Sequence, residues 1–565
     1  MMAAPDKCTP TTWKTLSSKT GYFKKNWGLF NDPRERLRTN PLGAFRAMQP
    51  GVPDQPHPIH LLMAEARQKW DQKVAAQSRT LRDAVDEYKR RYRMNPPLGF
   101  DKWFEWARQH DCQLLDEYDT IYRRILPFHS LSGESIRSRA KEMQANGTSL
   151  GMQWMAVDIE NDGKLFNISG PRPRWNLDVL RDVKSLIPFN VTLTFNTLDE
   201  PRVVVTGEAF ERHVEYALAH KFITAEEEDA LLFKEQVYDY TESCSPDSEI
   251  RRVGYWDQIE FVPDLTRPKG FIDDHQATMS FCDWPKNQAL HGSAFRVYPS
   301  PRVLLPLFSC SVMATHHDLM VPTTDQFHDE VGEDTIWSNK TYNQVLWRGS
   351  STGTWGDSHT IKYSHRFRLT HRNVSLHLAL NDTPAGPGPT TPHSESISLY
   401  GAKYFNFSFS GNPVQCVEEC IQVLLENRFL RIMPRAEQNQ FKYVIDVDGN
   451  GWSGRFHRLM RSNTMVLKST IFNECYVPVS IDYTDLIPTM AFFIGDLEGR
   501  GSHDDLAERI ATRGRLWTEM YWRYEDMQAL RKEAQPADFL RLVLEYGRVS
   551  HKEYPTDTRF DYLGP

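Results

Sequence analysis

No stretch of this chain is apolar for long enough to cross a bilayer. The longest apolar region, Val303 to Ala314, is interrupted by Pro306, Ser309 and Ser311, and a spanning helix needs roughly 20 predominantly apolar residues. No charged segment followed by an apolar one precedes Asp6, so neither a signal peptide nor an anchor is read at the N-terminus. Charge of one sign is also scarce. A formal net charge of −7, from 67 Lys and Arg against 74 Asp and Glu, excludes the general basic field that holds nucleic acid, so any basic site has to be local. The eight cysteines contain no C-x-x-C pair, which excludes a zinc ribbon and a thioredoxin motif. No internal repeat is found.

What is present is apolar and aromatic material in quantity. Across 565 residues, 40% hydrophobic content and 12% aromatics, with 15 Trp, can bury large cores, and the chain is too long for one. Seven glycosylation sequons begin at Asn146, Asn167, Asn190, Asn339, Asn373, Asn381 and Asn406, which points to the secretory pathway. In that compartment disulfides are permitted; Cys416 and Cys420 are the nearest pair, and buried thiols fit the remaining cysteines equally well.

From His57 to Met94 the apolar spacing predicts helix, stopped by Asn95-Pro96-Pro97, and Phe100 to His110 reads as a short helix whose Trp103, Phe104 and Trp106 are core residues. After about Leu150 short β-rich runs alternate with helical ones. Val191, Leu193 and Phe195 alternate as a strand, which places Asp199 and Glu200 beyond its carboxyl end, where open α/β sheets bind ligands. Val345 to Trp347 and Phe441 to Val447 are further strands, each running into a glycine-containing turn. Asn381 to Ser396 reads as a surface loop. The chain from Ser502 or Asp504 reads as a long helix, separated by Pro536 from a last helix through Leu544. The layout is a helical N-terminal region (1–150), an α/β half (151–335), a second α/β half (336–500) and a helical tail (501–565).

The segment "YNQVLWRGSSTGTWGD", from Tyr342, admits two chemistries. Gly349-Ser350-Ser351-Thr352-Gly353 fits G-x-S-x-G, a serine hydrolase elbow with Ser351 as nucleophile. Asp446 and His457 complete the chain order, but they lie eleven positions apart on one strand-turn-helix unit, and no HGGG-like segment is visible. The other reading is a glycine turn after a strand, flanked by Arg348, whose backbone N–H groups hold phosphate. "VIDVDGNGWSGRFHRLMRSN" supports this second reading: Gly449, Gly451 and Gly454 permit a tight backbone, and a helix is expected from about Ser453. Arg455 in that turn offers a diphosphate its bidentate fork, whereas Arg458 and Arg461 read as a solvated helix face. Asp446-x-Asp448 has the form of a metal-holding D-x-D, and His316-His317-Asp318 that of a metal cluster. Turn and packing roles are preferred for both, so no metal site is assigned.

Three of these segments, "VLWRGSSTG", "FKYVIDVDGNGWSGRFHRLMRSNTMVLKSTIFNE" and "FNTLDEPRV", together resemble glycosyltransferase family 90, which includes capsule-associated proteins and protein O-glucosyltransferases. "GFDKWFEWA" and "LLDEYDTIYRRILPF" are similar to its fungal β-1,2-xylosyltransferase branch. The resemblance runs from about His57 to Pro488. It implies a GT-B fold, two Rossmann-like domains facing a cleft with the donor held by the C-terminal one. It also implies inverting transfer of xylose from UDP-xylose to a mannose-containing oligosaccharide or polysaccharide, with no cofactor or essential metal. By position it makes Asp199 the general base and assigns the donor to Arg348, Gly349, Ser350, Thr352, Gly353, Arg455 and Glu474. A Golgi or other secretory-lumen location follows, with the full-length form a type II membrane protein and this chain soluble. UDP-glucose is the alternative donor. An inactive glycan-binding relative and the Ser351 hydrolase are the readings from other classes.

Overall fold

The computed structural model describes residues 45–46, 56–147, 152–161, 163–170, 180, 183–233, 240–254, 270–295, 302–322, 329–357, 361, 363–371, 400–471, 477–523, 537–551 and 560–564. The architecture is mixed α/β, built on two parallel-rich sheets. A short pairing of β1 (Phe45–Arg46) with β5 (Phe271–Ile272) lies outside both. The five-stranded sheet contains β2 (Trp154–Ile159), β3 (Leu165–Ser169), β4 (Val191–Asn196), β6 (Leu307–Ser309) and β7 (Leu319–Met320), in the order β3-β2-β4-β6-β7. β4, β6 and β7 run parallel, and β2 is antiparallel to its two neighbours.

The six-stranded sheet is parallel throughout: β8 (Tyr342–Gly349), β9 (Phe405–Ser410), β10 (Phe429–Leu430), β11 (Phe441–Val447), β12 (Met465–Ser469) and β13 (Val477–Pro478), in the order β10-β9-β8-β11-β12-β13. Central strands of such a sheet are covered on both faces, so they are continuously rather than alternately buried. β11 is buried at all but one position and β12 at every position.

The predicted helix from His57 to Met94 is two helices, α1 (Pro58–Ala75) and α2 (Leu81–Tyr92). The break lies at Thr80, whose hydroxyl accepts the Asp83 N–H at 3.2 Å while the Asp83 carboxylate accepts the Thr80 N–H at 3.0 Å. This reciprocal cap starts a helix anew. α3 (Phe100–Gln109) buries Trp103, Phe104 and Trp106 as core residues.

Both helical ends of the chain are divided between the two cores. α1 sends Ile59, Leu62 and Met63 into the core of the six-stranded sheet, whereas α2 and α3 belong to that of the five-stranded one. At the other end, α4 (Asp504–Tyr521) contributes Leu506, Ala507 and Ala511 to the former. Its cap residue is His503, and the Ser502 hydroxyl instead donates to the Phe493 carbonyl at 2.8 Å. α5 (Ala537–His551), longer than its sequence signal, crosses back to the first core. There the buried Arg541 guanidinium lies 4.5 to 5.5 Å from the ring centres of Tyr88, Phe100, Trp103 and Tyr118, an arrangement that stabilises a desolvated cation.

Cys416 is bonded to Cys420, and Cys244 to Cys282, a pairing that sequence spacing does not reveal. Cys8 and Cys475 lie outside the described residues, as do the sequons at Asn373 and Asn381 and the loop Asn381 to Ser396. Asn146, Asn167, Asn190 and Asn339 are exposed, whereas Asn406 is part of β9. No helix among the described residues is long and apolar enough to cross a membrane.

Candidate functional site

Asp199 follows β4 and is held by its backbone. The Asn196 carboxamide donates to the Glu200 carbonyl at 2.8 Å and accepts the Leu198 N–H at 3.1 Å, closing the turn from within. From beneath, the buried Asp318 carboxylate accepts the N–H groups of Arg202 and Val203, at 3.0 and 2.8 Å, and the Ser309 hydroxyl at 2.6 Å. The Ser311 hydroxyl, just after β6, donates to the Asp199 carbonyl at 2.6 Å. The Asp199 side chain itself is exposed, with Oδ2 accepting from Asn450 Nδ2 at 3.3 Å. Glu200 turns away toward Arg202, 3.7 Å off.

The three residues His316, His317 and Asp318 do separate jobs. His316 meets the Tyr240 ring edge-on, His317 stacks on Phe210 at 4.3 Å, and Asp318 ties down the Asp199 loop. No group of potential metal ligands converges among the described residues. Burial pulls His316 down to about 3 and His317 well below the ordinary imidazole range, so both are neutral.

After β8 the chain turns through Gly349 to Gly353. Gly349 sits close against Trp347; a Cβ there would lie 2.8 Å from the indole Cζ2. Gly353 adopts φ 111°, a conformation that favours glycine, and donates its N–H to Asn450 Oδ1 at 3.0 Å. Two cations cover the Trp347 ring, Arg366 at 5.7 Å and Arg455 at 5.6 Å. Arg366, on the one-turn helix His365–Thr370, ties the two glycine turns together. It donates to the Ser350 carbonyl at 3.1 Å, the Thr352 hydroxyl at 2.7 Å and the Asp448 carbonyl at 2.7 Å.

Sequence reasoning missed Arg366; its signal was an arginine pair, Arg366 and Arg368, alternating with the apolar Phe367 and Leu369 in a buried turn. Arg348 is 5% exposed, and its fork is occupied by the backbone carbonyl and the side chain of Asn406, each at 2.6 Å. The Asn406 sequon is thus engaged in holding an arginine.

The turn after β11 is organised by a buried lysine. Lys468 of β12 reaches Asp446 at 2.8 Å and Asp448 at 3.2 Å, all three fully buried. Burial, the largest single effect, would raise both carboxyls, but Lys468 acting together with Arg455 and Ser453 at Asp446, and with His291 and Thr470 at Asp448, holds both below the usual carboxylate range. Asp446 also accepts from the Ser453 hydroxyl at 2.6 Å and Arg455 Nε at 3.1 Å, and Asp448 from His291 Nε2 at 3.2 Å. The D-x-D carboxylates are therefore spent on protein cations and donors.

The helix after this turn, Phe456–Met460, is a single turn with Arg455 at its cap. Arg458 is not on a solvated face: it is buried and bonded to Asp329 at 2.7 Å, whereas Arg461 is exposed. The hydrolase constellation does not assemble. Ser351 is buried and exchanges hydrogen bonds with the Val414 backbone, His457 faces the Trp522 carbonyl, and Asp446 faces Lys468.

Among the described residues, four cations, Arg348, Arg366, Arg455 and Lys468, gather here against two buried carboxylates, Asp446 and Asp448. Burial, with Arg455 alongside, lowers Arg366 to about 10; burial, with Arg428 nearby, lowers Arg348 to about 10, so both stay charged at neutral pH. Arg455 Nη2 and Arg348 Nε are buried without a hydrogen-bond partner among the described residues. Such a surplus of desolvated positive charge with unused donors is complementary to a dianion.

No known family model matches the chain, and no curated protein matches it. Of the expected site residues, the structure brings Asp199, Gly353 and their turns together, places Ser350, Thr352 and Arg455 around the same turns, and turns Arg348 toward β9. Glu474 lies outside the described residues.

The Cys416–Cys420 disulfide closes the loop that backs the β8 turn, where Gly356 N–H donates to the Gln415 carbonyl at 2.7 Å. Because so short a closed loop removes little chain entropy, its loss should act locally. Replacing both cysteines by Ser is expected to increase deuterium exchange at 351–356 while leaving the melting midpoint nearly unchanged; unchanged exchange would show that the disulfide does not support the turn.

Proposed function

We propose that this site binds a nucleoside-diphosphate sugar and that the protein is an inverting glycosyltransferase, as its resemblance to glycosyltransferase family 90 implies. In this reading the two sheets are the two Rossmann-like domains of a GT-B arrangement. The six-stranded sheet carries the donor, UDP-xylose, and the five-stranded sheet the acceptor, a mannose-containing glycan. The observation that carries it is convergence across the sheets: an exposed carboxylate after β4 meets the glycine turns after β8 and β11 through Asn450.

The chemistry follows from that placement. A glycan hydroxyl attacks the anomeric carbon, its proton passes to Asp199, and the bond from that carbon to the UDP oxygen breaks on the opposite side. The leaving diphosphate gains charge, which in this reading Arg455 and the backbone of the Gly349–Gly353 turn offset, with Arg348, its fork held by Asn406, contributing only its charge from behind the turn. Ser350 and Thr352, whose hydroxyls lie 2.9 Å apart, keep the turn in register. No resident cofactor is assigned. Two disulfides and the exposed sequons fit an oxidising secretory lumen such as the Golgi.

Calorimetric titration with UDP tests the donor half. Saturable binding is expected, weakened about 10- to 100-fold in Arg455→Ala, the cost of a lost charge-assisted hydrogen bond. Absence of saturation, or equal affinity in Arg455→Ala, would sink the assignment.

A further inference from the structure

We infer that Asn450 is the positioning residue that couples donor capture to the base. Its two side-chain ends do different work. Oδ1 accepts the Gly353 N–H at 3.0 Å and so fixes the β8 turn, while Nδ2 donates to Asp199 Oδ2 at 3.3 Å and so aims the carboxylate from the other sheet. Its backbone is clamped as well: the Ser293 hydroxyl donates to the Asn450 carbonyl.

The neighbours fit as closely as a latch requires. A Cβ on Gly451 would collide with the Asp199 carbonyl, and one on Gly292 would collide with the Gly353 carbonyl. Backbone from both sheets and from the Gly292–Phe295 segment therefore meets without room for side chains, and the Asn450 carboxamide is the polar group shared between the base and the β8 turn. A carboxylate that must take a proton as a bond forms needs an aimed lone pair, and a misplacement of about 1 Å can cost 10²-fold. A carboxamide suits the task because it presents one acceptor edge and one donor edge.

This inference rests on the glycosyltransferase reading, and its two bonds predict two separable readouts. Asn450→Asp keeps an acceptor for Gly353 but loses the donor to Asp199. It is expected to lower kcat for acceptor-dependent UDP release by about 10-fold or more while leaving the donor KM within about twofold. Asn450→Ala loses both bonds and is expected to lower kcat similarly and to raise the donor KM as well. A purely structural role would change the two variants alike. If the wild type is active and Asn450→Asp retains full kcat, or if both variants change only KM, the coupling role is wrong and the enzyme assignment survives. If the wild type turns over no UDP-sugar, both fall.

Discussion

Asp199→Asn is expected to lower UDP-sugar turnover by about 10²- to 10⁴-fold, the range that a positioned general base contributes. The prediction is sharp because the substitution leaves the structure little to complain of. Asp199 is exposed, and its loop is fixed by Asn196, Ser311 and Asp318 through backbone atoms rather than through its own carboxylate. An amide at this position fills the same space but has no lone pair basic enough to take the hydroxyl proton. Donor KM and melting temperature should therefore stay close to wild type while kcat collapses. If Asp199 were only a turn residue before Pro201, Asn would serve equally well, and steady-state kinetics would show an unchanged kcat.

Lys468→Met is expected to destabilise the fold by about 3–5 kcal/mol, the cost of removing one partner from a buried ionic network. The lysine bridges Asp446 and Asp448, and all three side chains are shielded from water. Met fills the volume and leaves Asp446 with Arg455 and Ser453, and Asp448 with His291, too few partners to offset two buried negative charges. Both carboxyls have folded-state values depressed below their ordinary 3.8. Their contribution to stability is present above that value and is lost as pH falls below it. The wild type should thus lose this advantage on acidification, and the gap between wild type and Lys468→Met should narrow below about pH 4. Urea titrations at pH 7 and pH 3.5 read both effects. A gap under about 1 kcal/mol at pH 7, comparable to a surface pair, would contradict the network.

The elements were legible wherever pattern is local. β11 occupies the stretch Phe441–Val447 read from its apolar run, and α3 starts at the expected Phe100. The position of Asp199 just beyond β4 was legible because the strand that precedes it has a clear alternating pattern. The failures share one cause: their partners are distant in sequence. Asn450 meets Asp199 across 251 positions, and His291 meets Asp448 across 157. Asp318, which fixes the Asp199 loop from 116 positions away, read only as part of a metal-like run.

Lys468 was visible as a lone charge in the apolar strand "MVLKS", yet its meaning depends on which carboxylates the neighbouring strand brings alongside. Arg458 read as solvated because helical spacing cannot say that Asp329 covers its face. The division of both helical ends between two cores is likewise a matter of packing, which no window of sequence contains.

Proton NMR of the product formed from UDP-xylose and α-mannobiose tests the central claim most directly. The donor is an α-linked sugar, so a single displacement assisted by Asp199 must give a β-linked product, identified by its anomeric coupling. A β-xyloside formed by the wild type and absent with Asp199→Asn is the predicted result. An α-linked product, or no acceptor-dependent transfer from any UDP-sugar, would contradict an inverting transferase at this site.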